Sequence, residues 1–287
     1  MHFYIKILLL AIVQGAAELL PVSSSAHVIV AEKLMGLNPS SPQMTMLLVM
    51  LHTGTMFAVI VYFWKAWRRN YFSSTLRSKD FILQIIVATA CTGIVGLGLK
   101  IVIEKVFMKG AAKAEVEDLF NNIPLIAAAL FAVGVLIIIA GLKSEKSRLR
   151  SETQLPQSCI IGVIQGLCLP FRGFSRSGAT ISTGLILGLA KEKLEEFSFA
   201  LAVVLTPVLI AMEGKRLLDA NKIPSQHVSL GHLLTPCLVG MVFSFIAGLG
   251  ALKWLSSWLE GGQWKLFGFY CLAASAVVLA LHYTQHI

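Results

Sequence analysis

The chain has 287 residues, of which 56% are apolar and only 14% charged, and its mean hydropathy is +0.77. That balance excludes a soluble globular protein and defines an integral membrane protein. The net charge of +9 reads first as a topology signal and second as attraction to anionic lipid headgroups, so membrane lipids are expected partners and nucleic acid is not.

In chain order, the first apolar region, about 3–37, is interrupted midway by Pro21 and the small polar cluster "SSSAH". A cleaved leader is disfavoured, because Lys6 is its one basic residue before the apolar run and Glu18 follows. A helix broken inside hydrocarbon is tolerated only where protein or a water-filled cavity surrounds the freed backbone groups, so the region reads as a re-entrant hairpin of two half-helices. Apolar windows long enough to span a bilayer, about 20 residues each, follow near 44–64, 81–99 and 123–142. A second interrupted region, about 157–190, reads as another re-entrant hairpin, and three more windows lie near 197–213, 235–255 and 266–284.

The expected fold is therefore all-α, with six transmembrane helices plus two re-entrant hairpins. Lys65, Arg68, Arg69, Arg77 and Lys79 in one loop, and Lys143, Lys146, Arg148 and Arg150 in another, place both loops in the cytoplasm. Segment 100–122 balances Lys100, Lys105, Lys109 and Lys113 against Glu104, Glu115, Glu117 and Asp118, and is placed outside. A unit with three spans, repeated in tandem, returns upside down. Residues 1–142 and 143–287 thus read as the two inverted repeats of one polytopic domain. Gln14-Gly15 and Gln165-Gly166 support this modestly, since each Gln precedes a serine, Ser24 or Ser175, by ten positions.

The two interruptions carry the chemistry. In "FRGFSRSGAT" Arg176 would lie inside the membrane, where a charge needs a polar cavity or partner. Backbone N–H groups at a helix beginning near Gly178, with a guanidinium beside them, suit a phosphate or carboxylate, and Ser175, Ser177 and Thr180 add hydroxyls. At the first interruption Ser24 and His27 are three apart, on one face if a helix has begun. With Glu18 they are the parts of an activated nucleophile, while Gln14 and Glu18, four apart, offer oxygens to a divalent cation. Opposed tips of this kind suggest phosphoryl chemistry in a dry cavity. A transporter or flippase for a phosphorylated lipid or small anion is the alternative, because it needs the anion site without the nucleophile.

Other polar residues have plainer readings. His52, Thr53 and Thr55 are expected to be structural, and the glycine-rich runs to allow close helix packing. Lys191 to Phe197 reads as a solvated link, and Trp254, Trp258 and Trp264 as an interfacial aromatic belt. The five cysteines, Cys91, Cys159, Cys168, Cys237 and Cys271, lack metal or disulfide spacing and read as small core residues.

Gln14, Glu18, "PVSS" from Pro21 to Ser24, and His27 resemble the first motif of the bacitracin-resistance type undecaprenyl-diphosphate phosphatases. Gly173, Ser175, Arg176, Ser177 and Thr180 are similar to their second motif, and the resemblance covers the whole chain. It implies a hydrolase that cleaves the isoprenyl diphosphate carrier lipid to its monophosphate, in the bacterial cytoplasmic (inner) membrane, with the site opening to the periplasmic or outer face. The implied setting is peptidoglycan synthesis and bacitracin resistance. The resemblance also implies Glu18, Ser24, His27 and Arg176 as catalytic residues. Gly173, Ser175, Arg176, Ser177 and Thr180 would be the phosphate-binding set, and Gln14 with Glu18 would hold Mg²⁺ or Ca²⁺. Arg172 stands where the motif has proline, with a proline earlier at Pro170, and adds a second charge for phosphate. A homodimer is left open.

Overall fold

The computed structural model of the chain describes residues 3–38, 41–107, 122–144, 153–220 and 230–284. Among these residues there is no strand. The helices in order are α1 (Phe3–Leu19), α2 (Ser24–Leu34), α3 (Pro42–Asn70), α4 (Thr75–Val102), α5 (Ile123–Ser144), α6 (Leu155–Cys168), α7 (Arg176–Ile186), α8 (Lys191–Ala220), α9 (Leu230–Glu260) and α10 (Trp264–Tyr283), with a π-helical turn, Ile103–Phe107, after α4. Of the charges used to orient the chain, Lys109, Lys113, Glu115, Glu117, Asp118, Lys146, Arg148 and Arg150 lie outside the described residues.

Six helices, α3, α4, α5, α8, α9 and α10, contain stretches long and apolar enough to cross a membrane, and each expected window falls in one of them. The other four are short, with 17 residues in α1, 11 in α2, 14 in α6 and 11 in α7. At 1.5 Å per residue an 11-residue helix is about 16 Å long, roughly half the hydrocarbon thickness. Local chemistry explains the breaks. Pro21 follows the end of α1 and Pro170 the end of α6, where a missing N–H and a clashing ring stop a helix. Each turn then needs left-handed backbone, at Gly173 (φ 101°) and at Ser23 (φ 67°). A Cβ on Gly173 would also sit 2.3 Å from the Ile126 carbonyl oxygen, so no other residue fits there.

Packing pairs the two halves. α1 lies along α9 and α6 along α4, while α5 packs on α10 and α3 on both α8 and α9. The glycines of the two Gln-Gly pairs lie at close approaches between helices. A Cβ on Gly15 would be 2.5 Å from the Ser244 carbonyl oxygen of α9, and one on Gly166 would be 2.8 Å from the Thr92 carbonyl oxygen of α4. In the glycine-rich runs, Gly96 and Gly248 have such a packing role, whereas Gly93, Gly98 and Gly250 face open space.

Two expectations are corrected. Trp264 is fully buried and donates its indole N–H to Ser182 Oγ at 3.0 Å, so it belongs to the core. Of the expected belt, Trp254 is exposed and Trp258 packs half-buried against the core. Lys191 to Phe197 is the first turns of α8, not a solvated link: Leu194, Glu195, Glu196 and Phe197 are all buried. The acids are tolerated because Ser256 Oγ donates to Glu195 at 2.7 Å and Asn70 Nδ2 to Glu196 at 2.8 Å.

The close approaches give a test. Gly15→Ala and Gly166→Ala each force two helix backbones apart, at a cost of about 1–3 kcal/mol for overpacking. Both are expected to lower the midpoint of thermal unfolding in detergent, and unchanged midpoints would contradict the packing described.

Candidate active site

The two short-helix pairs meet at their tips. Ser177 Oγ at the start of α7 donates to the Leu20 carbonyl at 3.2 Å, and the Gly173 N–H donates to Ser25 Oγ at 3.4 Å. Glu18, in the last turn of α1, lies at the centre of the contact. Its Oε1 accepts from Arg176 Nη2 at 3.2 Å, and its Oε2 accepts from Ser24 Oγ at 2.5 Å and from Gln14 Nε2 at 3.1 Å. The Glu18 and Arg176 side chains are 18% and 20% exposed, so the pair is largely removed from solvent while still reachable.

Each position follows from the local fold. Gln14 and Glu18 are one turn apart on α1 and face the same way. The turn at Pro21 to Ser23 folds α2 back, which brings Ser24, its first residue, against Glu18. Ser175 caps α7 by accepting from the Gly178 N–H at 3.2 Å, and Arg176 is the first residue of that helix. Both α2 and α7 therefore begin at the tips, and the N-terminal end of a helix favours negative charge.

Other expected site residues have different partners. Ser24 is paired with Glu18, not with His27. The His27 ring places Nδ1 2.7 Å from the Ser23 carbonyl and Nε2 2.7 Å from the Tyr270 hydroxyl. Thr180 is buried, donating to the Arg176 carbonyl at 2.9 Å and sharing a 2.6 Å bond with Ser198 Oγ. Ser175 and Ser177 are likewise buried and occupied within the protein. The hydroxyls expected to face an anion thus shape the tip that presents Arg176. Arg172 is half-buried, and its charge acts on the buried Glu32 of α2.

His52, expected to be structural, places its Nδ1 2.9 Å from Gln14 Nε2 and 3.6 Å from Glu18 Oε2. Its neighbours behave as expected: Thr53 donates to the Val49 carbonyl and Thr55 to the His52 carbonyl. Tyr270 was not singled out. The one signal for either residue is a polar group in an apolar helix, which many packing residues share.

Two buried polar atoms at the site have no protein partner, Gln14 Oε1 and Arg176 Nη1. An unsatisfied buried donor or acceptor is costly, so these atoms point to a ligand. Nη1 is a guanidinium donor suited to a phosphate oxygen. Gln14 Oε1 and the adjacent Glu18 carboxylate are hard oxygen donors that fit Mg²⁺ or Ca²⁺, with substrate oxygens and water completing the shell. Among the described residues no cluster of three His, Cys, Asp or Glu side chains suits a metal, so any ion here relies on such outside ligands.

The fold and site together define a multi-pass membrane protein with an acid, a hydroxyl and an arginine gathered for anion chemistry. The chain belongs to the family described as Bacitracin resistance protein BacA, whose sequence profile matches residues 7–277. It is 58% identical over 279 residues to Undecaprenyl-diphosphatase 2 of Acinetobacter baylyi, covering 96% of this chain and 97% of that one. It is also 31% identical to an undecaprenyl-diphosphatase of Parabacteroides distasonis, over 96% and 97% of the two chains. A third, from Desulfitobacterium hafniense, is 30% identical over 96% and 94%.

The free guanidinium nitrogen predicts anion binding. Detergent-purified protein is expected to bind inorganic pyrophosphate by calorimetry, and Arg176→Ala to abolish the heat while remaining folded. Equal binding by the variant would place the anion elsewhere.

Proposed function

We propose that the joined tips hydrolyse undecaprenyl diphosphate to undecaprenyl phosphate and inorganic phosphate. Family membership supports the reaction, and the observation that carries the mechanism is that one carboxylate, Glu18, holds both the Ser24 hydroxyl and Arg176. Ser24 Oγ attacks the terminal phosphorus and its proton passes to Glu18. The bond from that phosphorus to the bridging oxygen breaks, and undecaprenyl phosphate leaves with the electron pair. Water then cleaves the phosphoserine, and His27, one turn into α2, is the titratable group that exchanges a proton with it.

Arg176 turns its unpartnered Nη1 to the terminal phosphate and stabilises the charge that builds as the P–O bond breaks. Gln14 and Glu18 would hold a Mg²⁺ or Ca²⁺ ion, which when bound neutralises charge on the diphosphate. The serine–carboxylate bond favours hydrolysis over simple transport, since carriage of an anion needs no activated hydroxyl.

The architecture suited to this reaction is an inverted repeat with two re-entrant hairpins, α1–α2 entering from outside and α6–α7 from the cytoplasm. It is supported by the reciprocal packing of α1 on α9 and α6 on α4, and by the helix breaks at the matching tips. Loop charge and family membership support a location in the bacterial inner membrane with the site open to the outer face. There it recycles the carrier lipid for peptidoglycan synthesis and confers bacitracin resistance.

Phosphate release from undecaprenyl diphosphate tests this reading. The purified wild type is expected to turn over and to lose activity in EDTA. Arg176→Ala should lower turnover by about 10²–10³, as for loss of a charge-stabilising donor. With substrate labelled in the terminal phosphate, acid quenching should trap label on the wild type and none on Ser24→Ala. No phosphate release from the wild type contradicts the function, and an active Ser24→Ala contradicts the nucleophile.

A further inference from the structure

Helix α10 reaches the first tip with two adjacent residues. Cys271 Sγ donates to the Pro21 carbonyl at 3.5 Å, and the Tyr270 hydroxyl lies 2.7 Å from His27 Nε2. The Tyr270 and His27 rings also stack, with centroids 5.6 Å apart and planes 13° from parallel. We propose that Tyr270 is a positioning residue for His27, and that through this pair α10 holds the first tip in its reactive shape. The proposal rests on the phosphatase reading for its kinetic consequence but on geometry for the contact.

The hydrogen bonds assign the proton positions. A carbonyl can only accept, so the 2.7 Å contact from His27 Nδ1 to the Ser23 carbonyl puts the ring hydrogen on Nδ1. In the neutral ring Nε2 is then an acceptor, and the Tyr270 hydroxyl is its donor. When the ring is protonated at Nε2, the hydroxyl rotates and accepts instead, since a phenol does both. One partner thus serves both protonation states without the ring turning.

The stacked ring matters because of what His27 anchors. Ser23 is the one non-glycine residue with positive φ among the described residues, at 67°, and its carbonyl takes the His27 ring N–H. A conformation of this kind persists only where its surroundings over-determine it. No side-chain hydroxyl caps α2 from Ser23, so the ring bond to the Ser23 carbonyl and the Cys271 contact to the Pro21 carbonyl join the Ser177 bond to the Leu20 carbonyl in gripping the turn. Glu18 takes the Ser24 hydroxyl, and among the described residues Tyr270 is the side chain hydrogen-bonded to His27. Tyr270 is half-exposed, so nothing in the core requires its hydroxyl.

Tyr270→Phe keeps the stack and removes the hydroxyl. Turnover of undecaprenyl diphosphate is expected to fall about tenfold to a hundredfold, the range seen when an orienting partner is removed from a functional histidine in metal sites, with KM within about twofold. Placed on His27→Ala, the same change should cause no further loss, whereas a general packing defect would lower both backgrounds equally. Independently of activity, the ring ¹⁵N resonances of His27, assigned by their loss in His27→Ala, should move in Tyr270→Phe toward those of an Nε2 without a donor. Wild-type turnover with an equally active Tyr270→Phe and unmoved resonances overturns the proposal and leaves the phosphatase reading standing. An inert wild type overturns the phosphatase reading, and the resonances then decide the contact by themselves.

Discussion

The site depends on one ion pair that joins two segments 158 residues apart, Glu18 at the first tip and Arg176 at the second. Neither charge is stable by itself at such a position, because removing an ion from water costs several kcal/mol unless a partner and hydrogen bonds replace its hydration. Glu18 meets that requirement with three donors, from Arg176, Ser24 and Gln14. Arg176 meets it only in part, with Nη2 on Glu18 and Nη1 unpartnered. The pair therefore holds the halves together and leaves one strong donor unspent, and a phosphate oxygen is the chemistry that donor fits best.

The strained turns make this geometry available. An unbroken helix would carry Glu18 and Ser24 past one another, six residues and more than one and a half turns apart. Pro21 and the left-handed Ser23 fold the chain so that the hydroxyl meets the carboxylate. Gly173 does the equivalent at the second tip, pressed against the Ile126 carbonyl where a side chain has no room. Two helices consequently begin at the contact, and their N-terminal ends add positive potential to that of the arginine. The expected phosphate-binding hydroxyls of Ser175, Ser177 and Thr180 are used to build this turn, which accounts for a hydroxyl-rich motif around a single anion-facing arginine.

Much of this was legible in the sequence because it rests on local rules. Hydropathy located the six long helices, and a proline beside small polar residues located both breaks. Glu18, Ser24 and Arg176 stood out as polar chemistry in apolar surroundings. What was hidden is the choice of partners. Ser24 and His27, three apart, look like a pair along the chain, but the turn before α2 sends one toward Glu18 and the other toward α10. His52 and Tyr270 join the site from helices whose other polar groups are ordinary packing residues. Trp264 looked interfacial and is buried, because Ser182 gives its indole a partner inside. Glu195 and Glu196 looked solvated for the same reason in reverse, since Ser256 and Asn70 come from distant segments.

The joined geometry requires both tips to act on one phosphate. A structure of the protein with orthovanadate, which mimics a phosphoryl group in transfer, tests it most directly. If the tips act together, vanadium will be bonded to Ser24 Oγ with Arg176 Nη1 donating to one of its oxygens. Vanadate held by one tip alone, or bound away from both, would contradict it.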